Sequence, residues 1–302
     1  MVPEKIPSLL LLQSEGWKDY ELLDSGEGQK LERFGSFKIV RPEVQAIWHK
    51  ALSSSQWEKA DAIFHADSTE GGGFWEFRRP IQTPWKMSYQ DIKFYCRLSA
   101  SKHVGFFPEQ AAQWNWIRRV IQSGGQDYKI LNLFGYTGLA SIAAARAGAR
   151  VTHVDASKKS IQSAKDNLAL SDMSGESIRW IIDDSLKFVS REVRRNSHYD
   201  GIILDPPKFG RGPKGEVWDF FSLLPELLEQ CRLLLGSQGV FIVVTAYAIR
   251  ASALSLYNAL EGLFSDVGEG LTEAGELVNV ESSAGRKLSM AIFARWIRQN
   301  KS

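Results

Sequence analysis

KILNLFGYTGLASIAAARAGARVTHVD, residues 129–155, decides the fold. KILNLF is a short continuous apolar run, as expected of a strand covered on both faces. A turn carrying Gly135 and Gly138 follows it. GLASIAAARAGA is alanine-rich and reads as a helix closed by Gly148. RVTHVD is a second apolar strand. Strand, turn, helix and strand at this spacing make a βαβ unit, whose two strands lie parallel.

The same rhythm runs downstream. SKKSIQSAKDNLALS reads as a helix with Ser157 at its N-cap, SIRWIID as a strand and LKFVSREVRR as a helix. YDGIILD is a strand, FFSLLPELLEQCRLLL a helix bent at Pro225, GVFIVVTAY a strand and RASALSLYNALEGLF a helix. ELVNVES and KLSMAIFARW form a closing hairpin about Ala284-Gly285. The expected fold class is α/β, a doubly wound sheet that is mostly parallel with one antiparallel strand. Upstream the rhythm differs. KLERFGSFKIVRP reads as a hairpin about Phe34-Gly35-Ser36, and VQAIWHKAL as a short helix. Strands are expected at DAIFH, GFWEFRR, WKMSY and IKFYCRL, separated by Gly71-Gly72-Gly73 and by prolines. These short strands predict a small β-rich N-terminal domain over residues 1–102, leaving 103–302 for the doubly wound domain.

The 302 residues are 44% hydrophobic and 24% charged, as in ordinary globular chains. A formal charge of +2 gives no bulk electrostatic case for a nucleic-acid or membrane partner, so any basic surface must come from local clustering. Cys96 and Cys231 sit in apolar patterns and read as buried free thiols of a reducing compartment. The apolar run in MVPEKIPSLLLLQSEGW is too short for a secretory leader, and no stretch approaches the ~18 apolar residues of a membrane span. A cytoplasmic protein is expected. His49, His65, His103, His153 and His198 have no ligand-like spacing with cysteines or acids, so no metal is expected.

Doubly wound sheets bind ligands where their strands end. Four such ends carry polar signals. The first is Phe134-Gly135-Tyr136-Thr137-Gly138, whose glycines allow a close backbone approach. The second is Asp155, twenty positions after Gly135, followed by Ala156 and Ser157; its carboxylate suits two ribose hydroxyls. The third is Asp183-Asp184-Ser185. Asp184, with Asp183 as the alternative, would accept from an adenine amine, the other acid serving as a helix cap. A dinucleotide needs bare glycine backbone under its pyrophosphate. Tyr136 and Thr137 occupy that space, which favours an adenosyl cofactor without phosphate, such as S-adenosylmethionine. The fourth end is Asp205-Pro206-Pro207. Two prolines remove two donors and leave a stiff, acceptor-rich rim suited to a substrate –NH2 held in line with the sulfonium methyl.

LNLFGYTG, VDAS, DDSLKF and LDPPKF together resemble the Rossmann-type S-adenosylmethionine-dependent methyltransferases. More narrowly they are similar to the bacterial ribosomal-RNA large-subunit methyltransferases. HVGFFPEQ (103–110) resembles the H-x-G-x-F-x-D-Q element of that group, which adds Gln110 to the cofactor residues; Glu109 stands in place of its Asp. ERFGSFKIVRPE is similar to a small N-terminal β-rich part found in one branch. The resemblance implies a seven-stranded sheet ordered 3-2-1-4-5-7-6, S-adenosylmethionine as cofactor and ribosomal RNA as partner, methylated at a base nitrogen.

Two departures bear on the chemistry. Relatives that methylate carbon 5 of cytosine carry a cysteine where VVTAYAIR has Tyr247, so thiolate attack is not expected. Amine methylases often carry an aromatic after Pro-Pro. Here Lys208 stands there and Phe209 follows, so Asp205 to Phe209 are taken together as the acceptor site. Lys208, Arg211 and Lys214, spaced by Gly210, Gly212 and Gly215, read either as a mobile lid touching phosphates or as a solvated loop. Arg191, Arg194 and Arg195 read as a solvated helix end. Trp75, Phe77, Trp85, Tyr89, Phe94 and Tyr95 form either a base-stacking platform or, more in keeping with a small β domain, its core. The rival functions are methylation of a protein side chain or small molecule, and RNA binding by an inactive fold.

Overall fold

Turn chemistry and alternation build the N-terminal half. The computed structural model describes residues 8–67, 72–124, 127–265 and 270–299. Strand β1 (Leu10–Gln13) leaves for the large sheet described below. β2 (Tyr20–Gly26), β3 (Gln29–Phe34) and β4 (Phe37–Pro42) form an antiparallel meander. The expected hairpin turn is there, with Gly35 at φ 64, a value glycine adopts without steric cost. After a single helical turn α1 (Ser54–Trp57), β5 (Ala62–Ala66) runs parallel to β4, and β6 (Gly73–Phe77) closes a five-stranded sheet. β7 (Trp85–Tyr89) and β8 (Ile92–Cys96) pair separately. Gly71, expected between β5 and β6, lies outside the described residues.

VQAIWHKAL does not form the expected helix. Its carbonyls are spent elsewhere: Glu27 N–H donates to Trp48 O at 2.8 Å and Gly28 N–H to Ala46 O at 2.9 Å. The segment is a strap across the β2–β3 turn. Ala46 faces inward while Val44 and Ile47 are 82% and 87% exposed, so the apolar spacing builds no buried face.

The second half alternates as expected. α2 (Ala111–Gly124) precedes β9 (Lys129–Leu133), α3 (Leu139–Arg146), β10 (Arg150–Asp155), α4 (Lys158–Leu170), β11 (Ile178–Ile182) and α5 (Ser185–Arg194). β12 (Gly201–Leu204), the hairpin β13 (Phe209–Arg211) and β14 (Val217–Asp219), α6 (Phe220–Leu235), β15 (Phe241–Ala246), α7 (Ala253–Phe264), β16 (Gly270–Val280) and β17 (Lys287–Arg298) follow. α6 contains Pro225 and continues past it. The sheet runs β11-β10-β9-β12-β15-β17-β16-β1. The seven expected strands keep the expected order, with β17 antiparallel to β15, and β1 adds an eighth strand parallel to β16. That addition needs Gly275, where a Cβ would lie 1.9 Å from Leu10 O.

Strand alternation divides the core between the two faces. Ile130, Ile203 and Val243 pack with α2 and α3, whereas Ile202, Leu204 and Val244 pack with α6 and α7. The first of these cores is continuous with the N-terminal half. Trp17 touches the rings of Tyr20, Tyr89, Phe94, Phe106 and Trp114. Tyr89 and Phe94 are buried and serve as core, while Phe77 is 50% exposed. Among the described residues, no helix is long and apolar enough to cross a membrane.

Candidate active site

The chain leaves β9 through a tight left-handed turn. Phe134, Tyr136 and Gly138 have φ of 55, 49 and 84, and for the first two this conformation is strained. Asp155, at the end of β10, holds the turn in place. Its Oδ2 accepts from Tyr136 N–H at 2.9 Å and its Oδ1 from Ser157 N–H at 2.8 Å. Burial raises the Asp155 pKa, and these two amides pull part of it back. The glycines serve packing inside the protein. A Cβ on Gly135 would lie 2.3 Å from the His153 ring, and one on Gly138 2.7 Å from the Ala164 Cβ. His153 is neutral, its pKa pushed down to about 3 by burial. Its Nδ1 meets Ser141 Oγ at 2.9 Å, which in turn accepts from Asn132 Nδ2 at 2.8 Å.

At the β11 end the two acids divide their tasks. Asp184 is the N-cap of α5, its Oδ1 accepting from Lys187 N–H at 2.9 Å. Asp183 Oδ1 accepts from Asp184 N–H at 2.9 Å, and its Oδ2 pairs with Arg191. Arg191 therefore reaches back to the strand end, whereas Arg194 and Arg195 stay exposed. Ser185 is buried, and Ser157 is spent as the α4 cap. Ala156 is half-buried beside it.

At the β12 end, Gln110 Nε2 donates to Asp205 Oδ2 at 3.2 Å. Burial pushes Asp205 up to about 7, the nearby Glu109 adds to this, and the Gln110 bond offsets part of it. Pro206 is buried and Pro207 exposed. Pro207 O accepts from Trp218 Nε1 at 2.7 Å, and the Trp218 ring packs 4.8 Å from Phe134. Phe209 is 56% exposed, with Lys208 Nζ 5.1 Å from its ring centre. The segment expected as a lid or a solvated loop forms a hairpin, β13–β14. Buried Trp218 anchors it on one side and a 2.7 Å Lys187–Glu216 pair on the other. Arg211 is on its exposed side, paired across the strands with Val217, and Lys214 lies in its loop, also exposed. Sequence reasoning misses Trp218, and nothing in the isolated segment EVWD marks it as an anchor.

These strand ends enclose a cavity of about 50 Å³ lined by Phe107, Gln110, Tyr136, Gly138, Asp205 and Thr245, among others. Phe107 bridges two tyrosines, 5.9 Å from Tyr136 and 4.6 Å from Tyr247. The Tyr247 hydroxyl is shielded from solvent beside Gln110 and Glu109, and burial, then the Glu109 charge, raise its pKa. Arg250, three positions on, is exposed. Cys96 and Cys231 are buried away from this cavity, and burial raises both thiol pKa values. Among the described residues, no group of three or more His, Cys, Asp or Glu side chains could hold a metal.

The donor set discriminates between cofactors. Gly135 N–H donates to Val154 O, Gly138 N–H to Gly135 O and Tyr136 N–H to Asp155. Three amides that a dinucleotide pyrophosphate would need are thus occupied internally. Of the strand-end acids, Asp205 lines the cavity, while Asp155 ends β10 and Asp183 follows β11. That set fits an adenosyl cofactor bearing a positive charge.

Comparison with known proteins points the same way. A family model described as S-adenosylmethionine-dependent methyltransferase matches residues 28–293. The crystal structure of an S-adenosylmethionine-dependent methyltransferase from Agrobacterium tumefaciens is 44% identical, covers 97% of this chain and 94% of that one, and superposes with a TM-score of 0.92. A putative methyltransferase of the same kind from Streptococcus mutans shares the fold, with a TM-score of 0.71 over 94% of this chain and 76% of that one at 16% identity. Among curated proteins, ribosomal RNA large subunit methyltransferase K/L of Shewanella sp. (strain ANA-3) is 34% identical over 126 residues, 41% of this chain. The chain spans only 17% of that protein's length.

Proposed function

The chain belongs to the S-adenosylmethionine-dependent methyltransferase family, and on that premise we propose that its acceptor is a base nitrogen of ribosomal RNA. The observation that carries this reading is Asp205, whose carboxylate meets Gln110 beside a double proline at the end of β12. The curated relative's printed substrate, ribosomal RNA, supports the choice of acceptor.

S-adenosylmethionine supplies a methyl group on a cationic sulfur. We assign its ribose to Asp155 and its adenine to the Asp183-Asp184 pair, of which Asp184 caps α5 through Oδ1 alone and Asp183 is held by the Asp184 amide and Arg191. Phe134 to Gly138, Ala156, Ser157, Ser185 and Gln110 shape the rest of its seat. The Asp205 carboxylate accepts hydrogen bonds from the acceptor –NH2, turns its lone pair toward the cleft and receives the proton that the nitrogen sheds. Pro206 and Pro207 stiffen that lip, and Lys208 and Phe209 meet the base from outside. Residues 103–302 do the chemistry and 1–102 recognise the substrate, in the cytoplasm where ribosomes are made.

The test is tritium transfer from labelled S-adenosylmethionine to undermethylated ribosomal RNA. The label enters RNA with the wild type. Asp205→Ala lowers kcat by about 10²-fold or more while the cofactor still binds. Label that enters protein or small molecules, but never RNA, refutes the assignment of the acceptor.

A further inference from the structure

A second cavity, of about 200 Å³, lies behind the cofactor turn. Its walls come from two regions distant in sequence: the segment after β8, and the first turns of α4. Arg97, Ser99 and His103 line one side, and Lys159, Ser160 and Ser163 the other. Among the described residues, no carboxylate lines it. Neither Arg97 nor Lys159 forms an ion pair with an acid among the described residues. The space is far larger than the ~30 Å³ share of one water, and its rim can donate many hydrogen bonds.

The floor is fixed by Asn167, which is 2% exposed. Its Nδ2 donates to Thr137 O at 2.9 Å and its Oδ1 accepts from Tyr95 N–H at 2.9 Å. Thr137 Oγ1 donates to Gly105 O at 2.6 Å and seals the partition between this cavity and the cofactor cleft. Tyr136 and Thr137 line both spaces. Burial, then Arg41, Lys102 and Lys30, push His103 down to about 4, so its imidazole is neutral at pH 7.

We propose that this cavity seats a backbone phosphate of the polynucleotide whose base is presented to Asp205, with Arg97 and Lys159 as its cationic contacts. The inference rests on the RNA reading above and adds a location for the strand. A phosphate contact fixes register without reading sequence. Held on the far side of the Tyr136–Thr137 partition, it sets where the neighbouring base meets the cofactor turn. The chain needs such a local cluster because its bulk charge is only +2.

The test compares the wild type with Arg97→Gln/Lys159→Gln for binding of a single-stranded RNA tetranucleotide and of inorganic phosphate across a salt series. S-adenosylmethionine affinity serves as the fold control. The double variant binds the tetranucleotide at least tenfold more weakly, with a salt slope shallower by about 0.7 for each cation removed, and keeps its cofactor affinity. If the double variant also loses cofactor binding, Lys159→Gln alone decides, because that side chain is exposed on α4; it weakens the tetranucleotide about threefold. Unchanged RNA affinity and slope in the variant overturn the phosphate seat while the acceptor reading stands. A wild type that binds no tetranucleotide, or binds inorganic phosphate just as tightly, also overturns it. A wild type that binds RNA through Arg97 and Lys159 but transfers no methyl to it leaves the seat intact and refutes the acceptor.

Discussion

Asp205 titrates near 7 because burial and Glu109 favour its protonated form more than the Gln110 bond favours its carboxylate. Below about pH 7 the free protein carries a protonated Asp205, and a bound cation favours the carboxylate. Cofactor binding therefore releases a proton below pH 7, and affinity weakens toward tenfold per pH unit as pH falls. Above pH 7 affinity is flat. Titration calorimetry between pH 5.5 and 8, in buffers of different ionisation enthalpy, measures both effects; in Asp205→Asn both vanish. An affinity that does not change with pH contradicts this account of Asp205. The positions of several of these residues were legible: the sequence places Asp155 and Asp205 at strand ends, where doubly wound sheets bind ligands. The roles of neighbours were not. Whether Asp183 or Asp184 caps α5 depends on the direction in which the backbone leaves β11. The need for glycine at 135 comes from the His153 ring, a contact between adjacent strands that sequence spacing does not reveal.

Among the elements, the parallel strands and their helices were legible because covered strands are continuously apolar, as in the fully buried β12 and β15. The strap at 44–52 was not, since its carbonyls are claimed by a turn some twenty residues earlier. Nor was β1, a four-residue strand specified by its partner β16 at the other end of the chain. The segment of the hairpin β13–β14 reads as a mobile lid or a solvated loop because glycines and cations dominate its sequence; one tryptophan overrides them by packing inward. Trp218→Ala is expected to lose about 3–5 kcal/mol of stability, measured by urea unfolding. Trp218→Phe keeps most of the packing and loses only the bond to Pro207 O, about 1 kcal/mol, while KM for the acceptor rises. An unchanged KM in a folded Trp218→Phe protein would mean that the hairpin does not position the lip.

At the scale of the molecule, the two halves share charge as well as apolar core. Arg286, between β16 and β17, donates to Glu281, to Asp24 of β2, and to the backbone carbonyls of Ser25 and His49. Asp24 and Glu281 are buried. Arg286→Ala leaves two buried carboxylates short of a cation and is expected to cost about 3 kcal/mol, the low end for a buried pair because Arg286 itself is partly exposed. Because the N-terminal rings pack into the core on the α2 and α3 face of the large sheet, unfolding of this variant by heat should remain a single transition seen at the same temperature by tryptophan fluorescence and far-ultraviolet circular dichroism. Two separate transitions would contradict the shared core. The central claim is that a methyl group passes to a base nitrogen presented at Asp205. Undermethylated ribosomal RNA incubated with the protein and S-adenosylmethionine can be digested to nucleosides and resolved by mass spectrometry. The wild type should yield a new N-methylated nucleoside that Asp205→Ala does not; 5-methylcytidine, or no methylated nucleoside, would contradict it.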